Sequence, residues 1–282
     1  MLSAQLSEWL STQGSPSTGN TLVSHAVKAI IAPHAGYSYS GPTAAAAYHN
    51  IKPDSVRCVY ILGPSHHAYL RQCAISGASE VETPVGNMPV DEEGRRQLLA
   101  TGLYEVTARA VDEEEHSIEM QLPFLALILA RNPAATVLPI MVGQLSDRMA
   151  GQYAETLQSA FDDVGSLFVI SSDFCHWGKR FQYTPFDNTK ATEIHEYIKW
   201  LDGEGMKLIE DHNLTGFRDY LETHQNTICG RNPIAVLLTL ILKSPLATTT
   251  RFVKYAQSGT VQTPRDSSVS YAAAVVTVVA DK

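Results

Sequence analysis

Three short apolar runs in this sequence end in side chains that can do chemistry. Ala29-Ile30-Ile31-Ala32-Pro33 leads to His34, and Cys58 to Ser65 leads to His66 and His67. Leu167-Phe168-Val169-Ile170 leads through Ser171 and Ser172 to Asp173, Cys175 and His176. Imidazoles held by a rigid element are good ligands for transition metals. Asp-x-x-His can supply a ligand, an acid/base pair, or a carboxylate that orients a histidine. A lone histidine at a turn usually just bonds a backbone group, but a set repeating one pattern reads as a site. Adjacent residues point apart, so His66 is the stronger of its pair.

Cys229 stands before Gly230-Arg231-Asn232-Pro233 and an apolar helix. A thiol near a helix start with an arginine beside it is expected to ionise readily, as a metal ligand or redox-active thiolate. The alternative is a small core hydrophobe. His116 and Glu119, three apart at a helix start, share a face and offer acid/base or outer-shell groups, or else an exposed cap.

The elements that must position these groups follow from periodicity. The three runs read as strands buried on both faces, as do Thr136 to Val142 and, more briefly, 73 to 77. A helix over about 146–161 between two of them makes a βαβ unit, hence parallel neighbours. In such sheets ligands bind beyond the carboxyl ends of the strands. Pro42 followed by Thr43 and four alanines reads as a helix start, and the His34 loop before it as a place for anions or polar substrates. Asp91 reads as the cap of a helix to about Thr101. The acidic run Asp112 to Glu115 reads as the opening of a helix to about Arg131, kinked or restarted at Pro123. Residues 187 to 225 read as mainly helical, 11 to 20 as a loop, and 248–256 and 269–279 as β-rich. The expectation is one α/β domain over 1–282, with a largely parallel or mixed central sheet flanked by helices on both faces.

The formal charge of −8 argues against a broad nucleic-acid footprint. The longest apolar run, Leu122 to Ala130, contains Pro123 and is too short for a membrane span. No basic-then-apolar leader opens the sequence, and Cys58, Cys73, Cys175 and Cys229 show no paired spacing. Free thiols in a reducing compartment, cytoplasmic or also nuclear, are the expectation.

Ala32-Pro33-His34-Ala35-Gly36-Tyr37, Leu62-Gly63-Pro64-Ser65-His66-His67, Glu115-His116-Ser117-Ile118-Glu119, Ser172 to Gly178, Asn226 to Arg231 and Asp266 to Tyr271 together resemble the Memo family, the mediator of cell motility proteins. The resemblance runs from about residue 6 to 280 and is closest to the eukaryotic branch. It implies a fold similar to class III extradiol dioxygenases, non-heme iron enzymes. By motif it implies His34, His66 and Cys229 as metal ligands, the cysteine standing where those enzymes have a glutamate. Asp173 and His176 would line the same pocket as catalytic groups. Gln121 stands where some relatives have histidine. The family pattern also includes a His-Ala-Gly-Ser-Trp-Tyr-like segment ahead of the point where this sequence starts.

Two functions follow from the resemblance. One is a redox protein binding iron or copper, an oxidoreductase or a metal-handling protein tied to cell-motility signalling. The other is a signalling adaptor binding a phosphotyrosine peptide, for which Lys179, Arg180 and Arg231 are the available cations. Two histidines, a cysteine and water would also make a catalytic zinc set, so zinc-dependent hydrolysis with Asp173 or His176 as base is a third reading.

Overall fold

In a computed structural model that describes residues 2–13 and 26–279, strands and helices are interspersed along the chain. The helix α1 (Leu2–Thr12) precedes β1 (Val27–Ala32), α2 (Tyr37–Tyr48) and β2 (Cys58–Pro64). Three short strands follow, β3 (Cys73–Ile75), β4 (Glu80–Val81) and β5 (Met88–Pro89), then α3 (Glu92–Ala100) and β6 (Tyr104–Val106). Helices α4 (Arg109–Glu114), α5 (His116–Glu119) and α6 (Leu122–Leu129) lead into β7 (Thr136–Val142), α7 (Asp147–Asp162) and β8 (Ser166–Ser171). Next are β9 (His176–Trp177), α8 (Ile194–Glu210), α9 (Leu214–His224) and α10 (Arg231–Lys243). The strands β10 (Thr248–Gln257) and β11 (Ser268–Val278) complete the series.

The main sheet runs β10-β11-β1-β8-β2-β7-β3-β6, with β9 paired to β11. Its centre is parallel: β1 with β8, β8 with β2, and β2 with β7. The flanks are antiparallel where β11 joins β1 and β10, and where β3 joins β7. Burial explains the centre: β2 and β8 are buried at every position, so their sequences are continuous apolar runs. The crossover from β1 to β2 through α2 runs one way across the sheet, and that from β7 to β8 through α7 runs the other. Right-handed crossovers in opposite directions place their helices on opposite faces. Accordingly α2 packs on β1, β10 and β11, while α7 packs on β8 beside α10.

The same topology brings the ends of β1, β8 and β2 to one edge of the sheet. His34, Asp173 and His66 each sit two residues past the last residue of their strand. β8 lies between the two histidine-bearing strands, so its aspartate rises between them.

Three local readings need correction, and a fourth falls mostly outside the described residues. The helix expected to start at Pro42 begins at Tyr37, with Pro42 inside it; the carbonyl its missing N–H would have met belongs to exposed Ser38. The acidic run does not open the His116 helix but forms its own helix, α4, and the chain breaks at Glu115 because that side chain caps the next helix at the Ser117 N–H. Residues 187 to 193 are not helical; an Asp187–Thr189 turn precedes α8. The loop expected over 11–20 lies, beyond Gln13, outside the described residues. No helix among the described residues is long and apolar enough to cross a membrane.

Candidate metal centre

His34, His66 and His116 meet at this edge. Ring centroids are 5.1 Å apart for His34 and His66, 5.5 Å for His34 and His116, and 4.5 Å for His66 and His116, which stack. One ring nitrogen from each lies within 4.8 Å of the others. His34 is buried, His66 exposed and His116 intermediate, so the cluster opens to solvent from its His66 side. Three convergent imidazoles can hold a metal ion.

Each of the first two rings has its Nδ1 engaged from behind. His66 Nδ1 donates to Glu115 Oε1 at 2.9 Å, while the His66 backbone N–H donates to Glu115 Oε2 at 2.6 Å. His34 Nδ1 lies 2.7 Å from Ser171 Oγ. Nε2 is therefore the nitrogen each ring has left for a metal, and a histidine ligand backed by a carboxylate is a recurrent feature of metal sites. Burial works against charge on Glu115, but the His66 side chain and the backbone N–H groups of His66 and Ser117 outweigh it, holding the carboxyl down at about 2. Burial, together with His66, His116 and His176, lowers His34 well below the usual imidazole range. It is neutral at pH 7, as a metal ligand must be.

Cys229 flanks His34 on the other side, its Sγ 3.1 Å from Nε2. The start of α10 is laced to the end of β8: Gly230 N donates to Ser172 Oγ at 3.0 Å, Cys229 N to Asp173 O at 3.3 Å, and Asp173 N to Cys229 Sγ at 3.2 Å. The readily ionised thiol expected from sequence is not found. Burial first, and the nearby Asp173 carboxyl second, push its pKa up, while Arg231 turns to the surface and donates to Ile228 O. A cation bound here would have to displace the thiol proton.

Asp173 is buried, and its Oδ1 accepts from the backbone N–H of His34 at 2.9 Å and of Ala35 at 3.4 Å. The loop expected to attract anions is thus already satisfied by one from the protein itself. Oδ2 lies 3.9 Å from His34 Nε2, and burial pushes this carboxyl up to about 7. His176 Nδ1 lies 2.8 Å from Phe174 O and 3.2 Å from Thr227 O, its ring edge-on to Phe181 at 5.2 Å. His67 is exposed and meets the cluster only through His116, 5.8 Å away. Glu119 is exposed on the far side of its short helix from buried Ser117 and Ile118.

His116, Glu115, Ser171 and Gln121 carry more of this geometry than sequence reasoning assigned them. The Glu-His-Ser run and the serine closing the third apolar run were the available signals. Neither says which distant ring each residue meets.

Fold and site together define an α/β protein whose parallel sheet centre carries, at one edge, a cluster of three histidines that could hold a metal ion. The chain belongs to the Memo family, whose model, described as Memo-like protein, matches residues 1–275. Protein MEMO1 of Rattus norvegicus is 42% identical over 281 residues, covering 98% of this chain and 92% of the relative. Protein MEMO1 of Homo sapiens is 41% identical with the same coverage, and the memo-1 homolog of Caenorhabditis elegans is 42% identical over 98% of this chain and 78% of its own length. An uncharacterized Escherichia coli K12 protein of known structure overlays on 86% of this chain, and this chain on 98% of it, with a TM-score of 0.49 and 9% identity, a likeness too loose to bear on fold or site.

Proposed function

We propose that this chain is a redox protein that takes iron or copper in the cavity, with His34 and His66 as constant ligands and Cys229 or His116 as the third. The observation that supports this is the back-bonding of both rings: with Nδ1 held by Glu115 and Ser171, each imidazole has Nε2 left for a metal, that of His34 beside a thiol. The donor set fits. Imidazole suits iron, copper and zinc, and the thiol adds preference for the softer copper(I) and zinc. A bound iron or copper ion would supply one-electron chemistry and an open position for a small molecule.

The surrounding residues do the rest. Glu115 orients His66 and, being charged, offsets part of the cation's charge. Asp173, its carboxyl pushed up by burial, can hold or release a proton at Oδ2 beside His34. His176 is the second candidate for proton movement; its Nδ1 is tied to backbone carbonyls, which leaves Nε2 free.

The test is metal content of anaerobically purified protein, with anomalous X-ray scattering across the iron, copper and zinc edges. About one equivalent is expected in the wild type and loss of most of it in His34→Ala. Comparing Cys229→Ser with His116→Ala identifies the third ligand. Unchanged metal in both His34→Ala and Cys229→Ser sinks the proposal, and zinc alone in the site replaces redox chemistry with hydrolysis.

A further inference from the structure

We infer that Gln121, acting through the Ser171 hydroxyl, is a positioning residue that fixes the His34 tautomer with its proton on Nδ1, so that the Nε2 lone pair always faces the cavity. This rests on the reading of the cavity as a metal centre only for its consequence; the tautomer itself is a property of the metal-free protein.

Donors and acceptors around the Ser171 hydroxyl fix the assignment. Ser171 Oγ has three partners: Ser117 O at 2.6 Å, Gln121 Nε2 at 2.9 Å and His34 Nδ1 at 2.7 Å. A hydroxyl has one hydrogen to give and two lone pairs to fill. Ser117 O is a carbonyl and only accepts, so the hydrogen goes there. The Gln121 amide nitrogen only donates and fills one lone pair. The second lone pair is left for His34, whose Nδ1 must therefore carry a hydrogen. The opposite assignment would turn the Ser171 hydrogen toward the ring and leave two oxygens facing each other at 2.6 Å with nothing between them.

The orientation of the Gln121 amide is set by its other contacts. Its nitrogen also points at Pro33 O at 3.2 Å and Ser117 O at 3.4 Å, and its oxygen accepts from the Tyr48 hydroxyl at 2.8 Å. A flipped amide would set an oxygen against two carbonyls. Gln121, Ser171 and Tyr48 are all fully buried, so no water competes for these positions. Gln121 bonds Ser171, which in turn meets His34 Nδ1, so its influence on the ring runs through Ser171.

His66 reaches the same state by a different route, its Nδ1 facing a carboxylate. The two rings thus present equivalent nitrogens, one backed by a charge and the other by a neutral relay. A neutral relay adds no second buried charge beside Asp173.

Nitrogen-15 NMR of histidine-labelled, metal-free protein reads the tautomer directly. The wild type is expected to show a protonated Nδ1 and an unprotonated Nε2 at His34. In Ser171→Ala the proton is expected to move predominantly to Nε2, where Cys229 Sγ can accept it. Gln121→Met, similar in length but without the amide, should shift the population the same way by less. Titration with cobalt(II) chloride should show an affinity about 10–100-fold lower for Ser171→Ala. If Ser171→Ala does not fold, the wild-type spectrum and Gln121→Met decide the matter. A wild-type His34 protonated on Nε2, a tautomer unmoved in the variants, or equal cobalt affinity in folded Ser171→Ala overturns the inference. A wild type that binds no cobalt removes the metal-centre reading and leaves the tautomer result to stand or fall by itself.

Discussion

At the residue scale the cavity depends on Glu115, a carboxylate 1% exposed that still stays charged because His66 and two backbone N–H groups surround it. In Glu115→Gln one of the two oxygens becomes an NH2 group. Either His66 Nδ1–H or the His66 backbone N–H then faces a donor in place of an acceptor. The expected result is loss of about 2–3 kcal/mol in urea unfolding, the scale of a hydrogen bond to a charged group. Metal affinity should fall about 10–100-fold in the same variant. Wild-type stability together with wild-type metal affinity would show that Glu115 does not orient the ring. His34, His66, Asp173 and Cys229 could be picked out in the sequence because strand ends and a helix start mark them. Glu115 and Gln121 could not, since their work is done across gaps of 49 residues to His66 and 50 to Ser171. Sequence also misjudged the Cys229 thiol. Helix position and a neighbouring arginine are visible in one dimension; burial against Asp173 is not.

At the element scale, the site exists because α10 starts hard against the end of β8. Gly230 makes that approach feasible: a Cβ there would fall 2.6 Å from Ser171 O and still closer to the Ser172 side chain. The backbone oxygen cannot swing away without breaking the β8 strand end. Gly230→Ala should therefore push the start of α10 outward, carrying Cys229 from His34. Overpacking of this kind costs about 1–3 kcal/mol. Unfolding measurements should show that loss, and if Cys229 is the third ligand, metal affinity should drop with it. A variant as stable as wild type would mean the two elements have more room than the backbone indicates. Strands were read well here because a doubly buried strand is a continuous apolar run. Helix boundaries were read less well around Glu115 and Pro42, where a side-chain cap and a tolerated proline outweigh local propensity.

Across the whole molecule, four segments of the chain are tied together by one buried carboxyl. Asp202, on α8 and fully buried, accepts from Cys175 N at 3.2 Å, Asn226 Nδ2 at 2.9 Å and the Tyr255 hydroxyl at 2.9 Å. It thereby joins α8, the segment after β8, the segment before α10, and β10. Burial outweighs these hydrogen bonds and raises its pKa from 3.8 to about 6. The raised value means the folded protein binds this proton more tightly than the unfolded chain. The group therefore favours folding most below about pH 4, and that contribution is lost as pH rises toward about 6 and is constant above it. A shift of this size corresponds to roughly 3 kcal/mol. In Asp202→Asn the charge never forms, and the Tyr255 hydroxyl can turn its hydrogen to Ser270 Oγ, 3.0 Å away, while accepting from the new amide. Unfolding free energies measured in urea at pH 4 and at pH 6.5 should thus diverge, the variant gaining on wild type as pH rises. Asp173 titrates with the same sign, so only the difference between the two proteins isolates Asp202. Parallel curves would mean that the network, not burial, sets the ionisation of this carboxyl.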